Sequence, residues 1–288
     1  MIVPGGSSQA LAAALAAELG EPLAAVTYDR FPDGETYAAV PEFDAERAVV
    51  VAATDSNDAW VELLQLQDAV REAGASEVVT VLPYMGYARQ DRAFQEGGPV
   101  SARAMARAVS TGTDRVVLVN PHEQAVADFF DVHTTVCDAA GRLADPLPDD
   151  LADPLFLAPD SGAVELAASA CAAYGRGETD YFEKTRHSGT EVEISPSDAD
   201  AEGRDVVIVD DIVATGSTMS EAISHLDADG AERVFAACVH PMLARSARTK
   251  LQRAGVERII GTDTIERDVS AVSVAPVVAA AVDAVEVA

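Results

Sequence analysis

A chain of 288 residues has room for two domains of ordinary size, and with 49% hydrophobic and 24% charged residues it can bury substantial cores. Acidic residues outnumber basic ones 48 to 20, and the net charge of −28 sets up a field that repels phosphate backbones and anionic lipid. That argues against nucleic acid and membrane surfaces as partners.

The basic residues are unusual in kind, because Lys184 and Lys250 are the only lysines and the rest are arginines. An acidic, lysine-poor surface suits a high-salt cytosol, where screening suppresses self-repulsion, so a halophilic host and a cytoplasmic location are expected. Each surviving lysine becomes a candidate for a specific task. No stretch reaches the roughly 18 uncharged apolar residues of a membrane span. The start lacks the basic segment and apolar core of a secretory signal. Cys137, Cys171 and Cys238 are far apart and in no metal-ligand spacing, which reads as buried, reduced thiols.

In chain order, short Val- and Ile-rich runs alternate with helical patterns. Strands are expected at Ala48–Thr54, Glu77–Leu82, Arg115–Val119, Leu155–Ala158, Asp205–Val209, Arg233–Cys238 and Arg258–Gly261. Their near-continuous apolar character fits parallel strands covered on both faces. Helices are expected at Ser8–Leu19, Asp58–Ala73, Ser101–Ser110, Ala163–Tyr174, Ser217–Ala228 and Leu243–Arg253, with a final helix over about 274–288. The Pro- and Asp-rich stretch Asp145–Pro154 marks a boundary, giving domains 1–144 and 145–288. The last helix could pack on either half. The alternation implies two open α/β units in tandem.

Residues 206–218, VVIVDDIVATGST, are the most informative segment. An apolar strand ends in Asp210 and Asp211, and a short loop, Ala214, Thr215, Gly216, Ser217 and Thr218, then opens a helix. The carboxyl end of a strand in an open α/β sheet is where ligands bind. Backbone N–H groups and hydroxyls at a helix start suit a phosphate monoester. The paired carboxylates can accept from vicinal sugar hydroxyls or contact a metal. Together these describe a phosphorylated sugar, and as one unit the run closely resembles the phosphoribosyl-diphosphate-binding motif of type I phosphoribosyltransferases and their relatives.

Further loops follow other strands. PYMGYARQDRAF (83–94) carries Arg89, Gln90 and Arg92, able to grip a polyphosphate and an adenine edge. RFPDGE (30–35) offers Phe31 for stacking and Asp33 and Glu35 as acceptors, although such loops taken singly also read as surface turns. VNPHEQ and APDSG place His122 and Asp160 at strand ends in equivalent points of the two halves, a sparse ligand set of the kind Mg²⁺ accepts. YFEKTRHS places Lys184 and Arg186 at alternate positions of an extended arm between Tyr181 and Ile194, so both cations can face one anionic centre. A solvated hairpin is the other reading of that arm.

In this order the six motifs resemble the ribose-phosphate pyrophosphokinases over about residues 1–270, with EKTRHSGTEVEI closest to the archaeal branch. The resemblance implies two type I phosphoribosyltransferase-like domains, each an open, mostly parallel sheet flanked by helices, with the active site between them and completed by a neighbouring subunit of a homo-oligomer. It implies transfer of the β,γ-diphosphoryl group of Mg-ATP to ribose 5-phosphate. Phe31, Asp33, Glu35, Arg89, Gln90 and Arg92 would hold ATP, and His122 and Asp160 would ligate Mg²⁺. Lys184 and Arg186 would close over the reacting phosphates. Asp210, Asp211 and Ala214–Thr218 would bind ribose 5-phosphate. Three departures stand out. Ala214 replaces an acidic residue, Ser217 a second glycine, and Pro32 a small polar residue. The competing readings are a phosphoribosyltransferase, which leaves the ATP-type loops unexplained, and a non-catalytic regulatory subunit, which would be expected to lose the arm carrying Lys184 and Arg186.

Overall fold

A computed structural model describes residues 1–186, 192–196 and 200–284, with the side chains of 183–186 and 192–196 excepted. The chain forms two compact units. The first comprises Met1–Asp138, Asp263–Glu266 and the segment from Ser273 onward. The second comprises Ala139–Thr262 and Arg267–Val272.

The first unit is built on a five-stranded sheet in the order β1 (Ile2–Pro4), β4 (Arg47–Val51), β5 (Glu77–Leu82), β6 (Arg115–Val119) and β7 (His133–Cys137), every pair parallel. From β1 the chain passes through α1 (Gln9–Leu19) to Leu23, which bridges Ile2 on the side away from β4. It then returns across β1 to β4. That reversal is a topological switch point, with helices on both faces. Val49, Val50, Val51, Val79, Val81 and Leu118 are completely or almost completely buried, as doubly covered strands require.

The helix α2 (Asn57–Glu72) starts where Ser56 Oγ accepts Ala59 N–H at 3.1 Å, and it buries Leu63, Leu66 and Val70. Its Gln65 holds a small antiparallel hairpin, β2 (Thr27–Arg30) and β3 (Thr36–Ala39), through Ala38 N–H and Thr36 C=O. The helix α3 (Ser101–Ser110) links β5 to β6. The last helix, α7 (Ala275–Asp283), packs against α1, β6 and β7, where Arg115 donates to Val282 C=O.

The second unit has a seven-stranded sheet. Its order is β10 (Val192–Pro196), β9 (Glu178–Arg186), β8 (Leu155–Ala158), β11 (Asp205–Ile212), β12 (Arg233–His240), β13 (Arg258–Thr262) and β14 (Ser270–Val272). All neighbours are parallel except β9 with β10. After β8 the chain runs through α4 (Val164–Tyr174) to β9 on one side, then crosses back to β11 on the other, so the switch point falls between β8 and β11. The helices α5 (Ser217–Ala228) and α6 (Ala247–Arg253) follow β11 and β12.

Two expectations are corrected. The helix expected from Leu243 begins only at Ala247. Leu243 and Arg245 have φ of 46° and 57°, and the N–H groups of Leu243 and Ala244 donate to Val213 and Ala214 C=O, both at 2.8 Å. Tertiary pairing therefore holds this segment open. Of the cysteines, Cys137 and Cys238 are buried, but Cys171 on α4 is partly exposed because the helix turns that face outward beside Gly177 and Glu178. No helix among the described residues is long and apolar enough to cross a membrane.

Candidate active site

In the first unit the expected ligand groups sit on a hairpin turn and on the loops that follow β5 and β6. Phe31–Gly34 form a β-turn, with Gly34 N–H donating to Phe31 C=O at 2.9 Å and Phe31 N–H to Glu35 C=O at 2.8 Å. Pro32 occupies the second turn position, where its fixed φ belongs, and Gly34 supplies the left-handed φ of 96°. The substitution of proline thus fits the turn. Phe31 remains 49% exposed with its ring edge-on to Tyr37, and Asp33 and Glu35 are exposed. An exposed ring flanked by carboxylates at a stiffened tip can be offered to a base.

The loop after β5 is tethered at both ends. Gly86 N–H donates to Thr54 Oγ1 at 3.0 Å, Tyr87 Oη donates to Asn57 Oδ1 at 2.6 Å, and Gln90 C=O accepts from Ala102 N–H at the start of α3. Tyr87 is held at φ 63°, backbone strain of the kind that collects at ligand loops. Arg89, Gln90 and Arg92 are exposed, and the Arg92 guanidinium lies 5.5 Å from the Phe94 ring. After β6, Asn120 takes φ 35° and donates to Asp138 Oδ1 at 2.9 Å, a conformation asparagine tolerates. His122 follows on the exposed side.

In the second unit the switch point brings together what the chain separates by fifty residues. Asp160 follows β8, and Asp210 and Asp211 lie just before the end of β11, its parallel neighbour. Asp160 accepts from Gly162 N–H at 3.0 Å, and Asp210 accepts from Asp211 N–H at 2.9 Å. Burial, then the charges of Asp211 and Asp160, raise the Asp210 carboxyl well above the usual carboxylate range. Such a concentration of carboxylate calls for a partner that donates protons or carries positive charge, such as sugar hydroxyls or a divalent cation.

The loop that follows is rigid for identifiable reasons. Gly216, the residue before α5, has φ 70°, and a Cβ there would lie 3.2–3.3 Å from Ala247. Ser217 is already helical, so the positive φ falls on the glycine and the serine is accommodated without strain. Thr215 Oγ1 and Ser217 Oγ lie 3.4 Å apart, and Thr215, Ser217 and Thr218 are exposed at the helix start. The segment 243–247, which braces this loop, reads in sequence as the start of a helix, because its actual role depends on pairing between the segments that follow β11 and β12. Lys184 and Arg186 lie on β9, which pairs in antiparallel register with β10, Lys184 opposite Ile194 and Arg186 opposite Val192. Their side chains lie outside the described residues.

Among the described residues no group of three His, Cys, Asp or Glu could hold a metal. The donor chemistry of Asp160 nonetheless fits Mg²⁺, which keeps most of its shell for phosphate oxygens and water and needs few protein ligands.

A doubly wound, mostly parallel sheet whose switch-point strand carries two aspartates near its end, followed by a glycine-turned loop and a helix start, has the fold of the type I phosphoribosyltransferase class. Residues 1–112 match the family described as the N-terminal domain of ribose phosphate pyrophosphokinase, and residues 133–276 match the phosphoribosyl transferase domain. The chain is 64% identical to a ribose-phosphate pyrophosphokinase of Halobacterium salinarum, covering 97% of this chain and 99% of the relative. It is 43% identical to that of Methanosarcina mazei over 97% and 94%. The crystal structure of phosphoribosylpyrophosphate synthetase from Mycobacterium smegmatis superposes with a TM-score of 0.83 at 27% identity, covering 98% of this chain and 97% of that one. The chain belongs to the ribose-phosphate pyrophosphokinase family.

Proposed function

We propose that this protein is a cytoplasmic ribose-phosphate diphosphokinase. It transfers the β,γ-diphosphoryl group of Mg-ATP to the anomeric hydroxyl of ribose 5-phosphate. The hydroxyl oxygen attacks the β-phosphorus, the bond from that phosphorus to the α,β-bridging oxygen breaks, and the hydroxyl proton is lost. AMP leaves and 5-phosphoribosyl 1-diphosphate forms, a supply for nucleotide synthesis. The observation that carries this reading is the full-length family match joined to the carboxylate pair and helix-start loop at the β8/β11 switch point.

Diphosphoryl transfer needs positioning and charge neutralisation more than covalent help. In this reading the N–H groups and hydroxyls of Ala214–Thr218 take the 5-phosphate, and Asp210 and Asp211 accept from the ribose hydroxyls. The exposed Phe31 ring stacks on adenine, with Asp33 and Glu35 as acceptors. Arg89, Gln90 and Arg92 hold the rest of the nucleotide. The family resemblance implies a homo-oligomer in which this hairpin completes a neighbouring subunit's site, and the exposed tip is compatible with that. As the family resemblance implies, His122 and Asp160 would be the residues to hold Mg²⁺, which would supply positive charge to neutralise the polyphosphate. Lys184 and Arg186 stabilise the charge that develops on the leaving AMP.

The direct test mixes the protein with Mg-ATP and ribose 5-phosphate in molar salt and follows the adenine nucleotides. AMP formed in step with 5-phosphoribosyl 1-diphosphate is expected. ADP alone would make the protein an ordinary kinase. Consumption of 5-phosphoribosyl 1-diphosphate with a free base, and no AMP from ATP, would make it a phosphoribosyltransferase.

A further inference from the structure

The loop assigned to the 5-phosphate is served by a cation from outside the motif. Lys250, on α6, donates from Nζ to Ser217 Oγ at 2.8 Å. In the same unit Arg204, Arg233 and Arg248 each pair with an aspartate. Lys250 forms no such pair among the described residues, although Glu221 lines the same groove between α5 and α6. In a chain of net charge −28 with only two lysines, an ammonium is therefore committed to a neutral hydroxyl.

The pairing is not a chance reach of a long side chain. The segment leading into α6 is fixed to the loop by the Leu243 and Ala244 N–H groups, which donate to Val213 and Ala214 C=O. Ala247, in the first turn of α6, lies against Gly216. Lys250, one turn further on, is thus delivered to Ser217 by the same contacts that shape the loop.

A hydroxyl has one proton to give and two lone pairs to receive. With the ammonium on one lone pair, the Ser217 O–H is polarised and must donate away from Lys250. It does so among the free N–H groups of a helix start, where the helix dipole already favours negative charge. We infer that Lys250 is a positioning residue for ribose 5-phosphate: it acts through Ser217, orienting Oγ–H as a donor to the 5-phosphate. This rests on the assignment of that loop to the 5-phosphate.

The test is steady-state kinetics in molar salt on Lys250→Gln, Lys250→Arg, Ser217→Ala, the Lys250→Gln/Ser217→Ala double variant and Thr218→Ala. A charge-assisted hydrogen bond predicts that Lys250→Gln raises KM for ribose 5-phosphate about tenfold, with KM for Mg-ATP and the thermal midpoint unchanged. Lys250→Arg should recover part of the loss. Because the lysine acts through the serine, the double variant should be no worse than Ser217→Ala alone. An unchanged KM for ribose 5-phosphate in Lys250→Gln, equal loss for both substrates, or multiplicative losses in the double variant would each overturn the inference. Thr218→Ala separates the two levels. If it raises KM for ribose 5-phosphate while Lys250→Gln does not, this inference alone fails. If neither variant does, the 5-phosphate assignment fails with it.

Discussion

Gly86→Ala tests whether the loop after β5 serves the nucleotide. A Cβ at Gly86 would lie 2.2 Å from Thr54 C=O and 3.2 Å from Trp60 Nε1. The φ of Gly86 is not positive, so alanine meets no backbone penalty and the whole effect comes from that contact. Restoring an ordinary carbon–oxygen separation of about 3.3 Å requires a displacement of about 1 Å. Thr54 cannot yield readily, since its N–H and Oγ1 both donate to Tyr84 C=O, at 2.9 and 3.1 Å. The loop must move instead, breaking the Gly86 N–H bond to Thr54 Oγ1 in a buried setting at a cost of roughly 1–3 kcal/mol. Arg89, Gln90 and Arg92 move with it, and a misplacement of about 1 Å costs on the order of 10² in rate. The expected result is a fall of roughly 10² in kcat/KM for Mg-ATP, with KM for ribose 5-phosphate close to that of the parent. Gly141→Ala is the control, because its Cβ would meet only Ala173 Cβ at 3.5 Å and Ser169 C=O at 3.8 Å, both ordinary contacts. A Gly86→Ala enzyme with parental kcat/KM and thermal midpoint would refute the reasoning.

Three other outcomes are expected. Lys184→Ala should lower kcat by roughly 10²–10³ while the circular dichroism and oligomeric state stay parental, and near-normal turnover would remove Lys184 from the mechanism. Asp205 is fully buried and bonded to Arg233 at 2.9 and 2.6 Å and to Ala152 N–H; burial pushes its carboxyl up, but these bonds hold it below the usual range. Arg233 is partly exposed and also near Asp150, so Asp205→Asn should cost roughly 1.5–3 kcal/mol near neutral pH. Because the folded pKa is depressed, the parent's advantage should be full above the unfolded value and vanish as pH falls through the folded one, as urea unfolding at stepped pH would read. Asp210 has the opposite sign, since its raised pKa means stability is lost as pH rises from the unfolded value through the folded one. Substrate-free Asp210→Asn should then melt higher than the parent at alkaline pH, with the difference shrinking toward pH 4, while losing affinity for ribose 5-phosphate; a lower midpoint at alkaline pH would contradict the electrostatic account.

Local sequence was sufficient for the parallel strands β4, β5, β6, β8, β11, β12 and β13 and for most helices. Glu77–Leu82, Arg115–Val119 and Leu155–Ala158 form strands within the bounds their apolar runs suggest, and Ser101–Ser110 and Ser217–Ala228 form helices likewise. Strands buried on both faces must be apolar throughout, and helix starts must satisfy their own N–H groups, so both leave marks readable one segment at a time. The short β1, the hairpin β2–β3 and the edge strand β14 left weaker marks, because their pairing depends on what lies beside them.

The motif residues were likewise legible as chemistry: two aspartates at a strand end, hydroxyls and a glycine at a helix start, arginines on a loop. Their mutual effects were not. Asp160 raises the proton affinity of Asp210 because β8 and β11 lie side by side and parallel at the switch point, which sets their carboxyl ends together. Gly216 needs its positive φ because Ala247 lies against it, and Lys250 reaches Ser217 because residues 243–244 pair with 213–214. Residue type and spacing settle which groups a segment can offer. Which groups share a field or a hydrogen bond depends on distances of a few ångströms between segments far apart along the chain, and those exist only after the sheet has chosen its strand order.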